Sequence, residues 1–277
     1  MCIKEEIVIY TLEDLTRLNW QLNTTATNTG GSLLKAVEGR RYYKLSTLSS
    51  YITGHESVNE IIVDRLLSQI GIPHVSYTGH NALIKVDGNL FTTFLCSSED
   101  FKNLGESKIP LDLYYAINKK ESESPESFMI RLGYQTYLNQ LLFVDYLIVN
   151  RDRHGANLEV LTKAANLRLS PLFDHGLSFV GPYQNDLERI KDFDPLTDVQ
   201  ANNFFGTHSL ESNLRLITSP VILQTDVINF TELFRDLEPF ITAVHTSKIT
   251  DIINARLHYA KQKNLYICAA GKTSCFS

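Results

Sequence analysis

LLFVDYLIVNRDRHGANLEVLTKAANLRLSPLFDHGLSF, residues 141–179, is the stretch on which the reading of the whole chain turns. Leu141 to Val149 is expected to form an apolar helix. A polar loop follows, from Asn150 to Asn157. A short apolar segment, Leu158 to Leu161, comes next. After a turn, a second apolar run, Leu169 to Phe173, delivers Asp174-His175-Gly176. Two carboxylates (Asp152, Asp174), one carboxamide (Asn157) and a histidine (His154) therefore stand at the ends of rigid apolar elements. Phosphoryl transfer uses such a set: one group to orient an attacking hydroxyl, and oxygen ligands to hold magnesium on phosphates.

The spacing adds to this. Asp152 to Asn157 is D-x-x-x-x-N, the interval of the protein-kinase catalytic loop, and Asp174-His175-Gly176 stands where a kinase carries Asp-Phe-Gly. The loop departs from the kinase norm in placing its histidine after the aspartate. D-R-H-x-x-N, then an apolar strand, then D-x-G resembles the phosphatidylinositol-kinase-related group. Within that group it is most similar to the HipA-like bacterial serine/threonine kinases, whose loop reads N-x-D-x-H-x-x-N. The resemblance implies Asp152 as catalytic base, His154 as a supporting loop residue, Asn157 and Asp174 as metal ligands, and ATP with Mg2+ as cofactors. It further implies an α+β, two-lobed protein-kinase-like fold. An antiparallel-sheet lobe with one helix would span 1–96, and a mostly helical lobe with the catalytic loop and activation segment 97–277.

Upstream, the order of elements fits a nucleotide-binding lobe. A hydroxyl-rich stretch, Asn23 to Ser32, ends in Thr29-Gly30-Gly31-Ser32. Its glycines would let backbone amides approach phosphates. The fit to G-x-G-x-x-G is poor; the stretch is similar instead to the Ser/Thr-rich loop of HipA-like kinases. Strands are expected at Leu33–Val37 and Tyr42–Leu45, with a hairpin turn at Glu38-Gly39-Arg40. Lys44, in an aromatic and apolar run, is the candidate phosphate lysine, with Lys35 on the preceding strand as its competitor. Ser57 to Gly71 reads as an amphipathic helix stopped by Gly71 and Pro73. Glu60 in its first turn is the candidate partner of Lys44; it also suits the positive helix N-terminus. Asn59-Glu60, Leu66 and Gly71-Ile72 match a further HipA-like pattern.

Elsewhere the reading is coarser. Residues 3–10 look like a strand, and Leu12 to Trp20 helical or turn-like. Val75–Tyr77, Ala82–Val86 and Leu90–Leu95 read as three strands leading to a hinge around Cys96 to Asp100. Residues 97–127 are polar and serine-rich and are expected to be a solvated loop. Phe128 to Val149 is helical, and Thr246 to Leu265 forms a closing helix before a loose tail. Asp194, Asp198, Asn202 and Asn203 are candidate substrate contacts.

Composition bounds the rest. With 277 residues and 43% hydrophobic content the chain can bury a full core. A net charge of −5 argues against direct nucleic-acid binding. No run approaches a membrane span, the N-terminus lacks a signal-peptide pattern, and four scattered cysteines suit a reduced, cytoplasmic protein. The expectation is a protein serine/threonine kinase that acts on a protein substrate, itself included through the Thr24–Ser32 loop. A small antitoxin-like regulator is a further expected partner, as in toxin–antitoxin pairs. Competing readings are a lipid kinase, a kinase-fold module without catalysis, and a metal hydrolase; the Asp-His order here is the reverse of the one such hydrolases use.

Overall fold

A computed structural model describes residues 10–22, 33–47, 54–164 and 166–269. The expected strand at 3–10 falls almost wholly outside these residues. So does the Asn23–Ser32 stretch with Thr29, Gly30, Gly31 and Ser32.

The first half of the chain builds one sheet and one helix. Its elements are β1 (Leu12–Asp14), β2 (Gln21–Leu22), β3 (Leu34–Glu38), β4 (Arg41–Leu45), α1 (Glu56–Ile70), β5 (Thr78–Val86) and β6 (Asn89–Glu99). The six strands lie in the order β1-β5-β6-β4-β3-β2. Every pairing is antiparallel except that of the edge strand β1 with β5. Alternation along a strand sends successive side chains to opposite faces. Tyr43 and Leu45 thus join Leu95, Ala82 and Ile84 in a small core on one face. Phe94 and Cys96 face the main core, with α1. Lys44, between Tyr43 and Leu45, points to the α1 side and meets Glu60.

The second half is mostly helical. It begins with β7 (Ser107–Pro110), α2 (Leu111–Asn118), α3 (Pro125–Arg131) and α4 (Gln135–Leu147). Next come β8 (Asp152–Arg153), β9 (Glu159–Lys163), β10 (Asn166–Leu169), α5 (Leu187–Asp192) and β11 (Asn202–Asn203). The chain closes with α6 (Leu210–Asn213), β12 (Val221–Leu223), α7 (Phe230–Phe234), α8 (Ala243–Gln262) and β13 (Tyr266–Cys268). One face of α8, with Ile249, Ile252, Ile253 and Leu257, packs into the core around α4.

Several expectations give way. Leu12 to Trp20 contains a short strand and a turn, not a helix, because Leu12–Asp14 hydrogen-bond along Asn81–Leu83. Val75–Tyr77 forms no strand; one bridge, His74 to Leu172, is all the pairing there. Residues 97–127 are not an open loop. Arg168 holds Glu106 at 2.6 Å, β7 pairs with β9, and Ser124 caps α3. The apolar helix stops at Leu147; Ile148 and Val149 leave it, Val149 with φ 55. The expected loose tail from Ile267 starts inside β13, which pairs in parallel with β12. Among the described residues, no helix is long and apolar enough to cross a membrane.

Candidate active site

The helix α1 and the turn after β10 converge on Lys44 of β4. Its ammonium donates to Glu60 Oε1 at 2.7 Å and also contacts Asp174 Oδ1. Glu60 is fully buried, and its second oxygen accepts the His175 backbone N–H at 2.9 Å. Asn59, its neighbour on α1, donates to the carbonyl of Gly176 at 2.8 Å. One turn of α1 thus holds both the lysine of the sheet and the Asp-His-Gly turn of the other half. Gly176 must be small here: a Cβ would sit 3.0 Å from that of Glu56 on the same helix. Asp174 takes φ 61, a conformation of the strained kind that gathers at functional sites.

The charges are strongly coupled. Burial works to lower the Lys44 ammonium, but Asp174 and Glu60 override it and hold it well above the usual lysine range. Burial works to raise the Asp174 carboxyl, but Lys44 and Lys35 hold it well below the usual range. Glu60 goes up, burial outweighing the pull of Lys44. The His175 imidazole is held down by burial and by the Arg153 charge, so it is neutral near pH 7. Lys35 is opposite Lys44 in the β3–β4 register and lines the same cleft, without joining the Glu60 pair.

The polar loop is fixed from below. Arg153, 1% exposed, pairs with Asp145 of α4 at 2.9 Å and donates to the carbonyl of Phe173 at 2.7 Å. One buried guanidinium therefore ties the helix, the loop and the segment that carries Asp174. Asn150 donates to the same Asp145 carboxylate at 2.8 Å. Asn157 donates its amide to the carbonyl of Asp152 at 2.9 Å, which leaves its Oδ1 with no hydrogen bond among the described residues. Asp152 is partly exposed, with its Oδ1 accepting from Asn202 Nδ2 at 3.1 Å. The parallel pairing of β8 with β11 sets Asn202 opposite Asp152. His154 accepts the Ala156 backbone N–H at 3.2 Å, and its Nε2 lies 3.6 Å from Asp152 Oδ2. These contacts place His154 within the loop's own hydrogen bonding.

The structure thus brings Lys44, Glu60 and Asp174 into direct contact, and Asp152, His154 and Asn157 into one loop roped to Asp174 through Arg153. Sequence reasoning passed over Arg153 and Asp145, and grouped Asn202 with residues that touch substrate. Among the described residues, no group of three or more His, Cys, Asp or Glu side chains forms a ready-made metal cage. Magnesium does not need one; one or two protein oxygens plus substrate phosphates suffice. The Oδ1 of Asn157 and the second oxygen of Asp174, neither occupied by a donor among the described residues, fit that limited role.

No family model matches this sequence, and no curated protein matches it. Solved structures do. The Helicobacter pylori proinflammatory kinase CtkA is 13% identical, with a TM-score of 0.53 over 92% of this chain and 98% of that one. A Golgi casein kinase is 12% identical, with a TM-score of 0.37 over 86% of this chain and 73% of that one. Shewanella oneidensis HipA, solved with HipB and operator DNA, is 11% identical, with a TM-score of 0.37 over 86% of this chain and 60% of that one. The likeness to CtkA spans both lobes: the fold is a two-lobed, kinase-like one.

Proposed function

We propose that this chain is an ATP- and magnesium-dependent phosphotransferase, acting on serine or threonine hydroxyls of proteins. The observation that carries the reading is the contact of Lys44 with both Glu60 and Asp174, beside a loop whose Asp152 and Asn157 are tied to Asp174 through Arg153. Kinase chemistry depends on such a lysine–glutamate pair and such a metal-binding aspartate being in place together. Lys44 draws the nucleotide phosphates toward the sheet, and Glu60 keeps its ammonium aimed. Asn157 and Asp174 hold magnesium. Asp152, steadied by Asn202, orients the acceptor hydroxyl and takes its proton. Magnesium and ATP, when bound, supply the transferable phosphoryl group and the neutralisation of its charge.

The protein acceptor and a small antitoxin-like regulator follow from the HipA-like loop N-R-D-R-H-x-x-N. The Thr24–Ser32 stretch is the proposed self-acceptor, and a phosphate there would add about two negative charges. The test is intact mass after incubation with ATP and magnesium, for the parent, Lys44→Met and Asp174→Asn, with model acceptor proteins and with phosphoinositide vesicles in parallel. Phosphate on serine or threonine in the parent alone is the expected result. Phosphate only on lipid would move the acceptor class, and equal incorporation in all three proteins would overturn the assigned site.

A further inference from the structure

The nucleotide reading leaves the half-buried carboxylate of Glu159 unused in the cleft. Glu159 opens β9, two residues beyond Asn157, and lines the same cleft as Lys44 and Asp174. Its Oε2 is buried and has no hydrogen-bond partner among the described residues. Its Oε1 lies 3.4 Å from Lys108 Nζ on the neighbouring strand β7, where Pro110 pairs with Glu159 itself. Burial raises this carboxyl, with Lys108 opposing.

The cleft is lined by charges of both signs: Lys44, Lys35 and Lys108 with Asp174, Glu159, Glu99 and Asp100. Phe101 and Phe173 line it as well, their ring centroids 5.5 Å apart. A buried acceptor left unpaired has lost its water without a replacement, so the site demands a donor. A triphosphate offers none and repels the carboxylate. A nucleoside offers two kinds: the exocyclic amine of the base and the hydroxyls of the ribose.

We infer that Glu159 is the nucleoside-reading residue of the cleft, its free carboxylate oxygen accepting a hydrogen bond from an N–H of the base or an O–H of the sugar. This rests on the proposal that the cleft binds ATP. Glu159 then sets orientation and selectivity: its carboxylate repels phosphates that Lys44 attracts, and it favours nucleotides that carry the matching donor. Lys108 holds the other oxygen of the carboxylate, so only one is left for the ligand.

Calorimetric titration of the full chain with magnesium and nucleotide tests this. The nucleotides are ATP, purine riboside triphosphate (no 6-amino group), 2′-deoxy-ATP and 3′-deoxy-ATP. The proteins are the parent, Glu159→Leu and Lys44→Met, each first checked for cooperative melting. With the parent, the analogue that lacks the read donor should bind roughly 10–100-fold more weakly than ATP, as for a hydrogen bond to a charged group. Glu159→Leu should weaken ATP by the same factor and bind that analogue as well as ATP, the coupling expected of a contacting pair. A weak purine riboside triphosphate assigns the donor to the base; a weak deoxy analogue assigns it to the ribose. Two results overturn the inference alone: ATP binding that Lys44→Met weakens and Glu159→Leu does not, or analogues that all bind the parent like ATP. Absence of any ATP binding by the parent would overturn the nucleotide reading and this inference with it.

Discussion

Arg153 occupies an unremarkable place in the sequence, the variable position between Asp152 and His154. In the fold it is a fully buried cation whose only carboxylate partner within ion-pair distance among the described residues is Asp145. Removing one member of such a pair leaves the other charged and buried, which costs about 3–5 kcal/mol. Arg153→Met is therefore expected to lower unfolding free energy by about that much in urea titrations. Adding Asp145→Asn should recover part of the loss. His175 is the opposite case. It is buried and neutral, and its Nε2 has no partner among the described residues. His175→Phe removes an unsatisfied polar atom while keeping an aromatic ring. The expected outcome is an unchanged or higher melting temperature, worth up to about 1–3 kcal/mol. Asp152, Asn157 and Asp174 could be singled out in the sequence because their candidacy rests on local spacing. Arg153 with Asp145, and Asn202 with Asp152, were not, because tertiary packing chooses those partners: Asn202 lies 50 residues from Asp152.

At the scale of the element, α1 was readable from end to end. Its apolar positions follow the helical period, and Gly71 ends it in the left-handed conformation with φ 76. The N-terminal approach to α1 carries a pH dependence that no periodicity announces. The His55 ring sits 4.6 Å from that of His245, and burial with the His245 charge pushes its pKa down to about 4; Glu56 opposes weakly. His245 is lowered as well, by burial, against a hydrogen bond to the carbonyl of Gln184. A depressed histidine binds fewer protons folded than unfolded between pH 6.5 and 4. Stability is thus fully present above the unfolded value and is lost as pH falls through this window. The His55 share reaches roughly 3 kcal/mol near pH 4. His55→Gln should flatten the fall of melting temperature between these pH values; an unchanged slope would show that the ring pair contributes nothing. The segment from 97 to 127 misled the reading for a physical reason. Its strand and helices are short, and they are held by distant partners such as Arg168 for Glu106 and β9 for β7. Polar composition alone reads as loop when the stabilising contacts come from elsewhere in the chain.

Across the whole molecule, the two lobes meet at a charge relay in which no element suffices alone. Lys44 comes from the sheet, Glu60 from α1, and Asp174 from the turn after β10. The order of these elements was visible in the sequence, and the kinase-like fold bears out that reading. The edge strand β1 and the β12–β13 pair were not foreseen. Each is only three residues long, and three residues carry too little alternation to be read. A ligand that binds only the folded state raises stability by about 2.7 kcal/mol at a hundredfold excess over its dissociation constant. Magnesium with ATP should therefore raise the melting temperature of the parent, and Lys44→Met should remove the rise.

The most direct test of the central claim is the rate of γ-phosphate transfer from ATP to a protein hydroxyl by the parent and by Asp152→Asn, at a nucleotide concentration that gives both the same melting shift. If Asp152 is the group that takes the acceptor proton, transfer should fall by roughly 10²–10⁴-fold in the variant while nucleotide binding is kept. Equal transfer by the two proteins, or no transfer by a parent that binds ATP with magnesium in the presence of suitable acceptors, would contradict it.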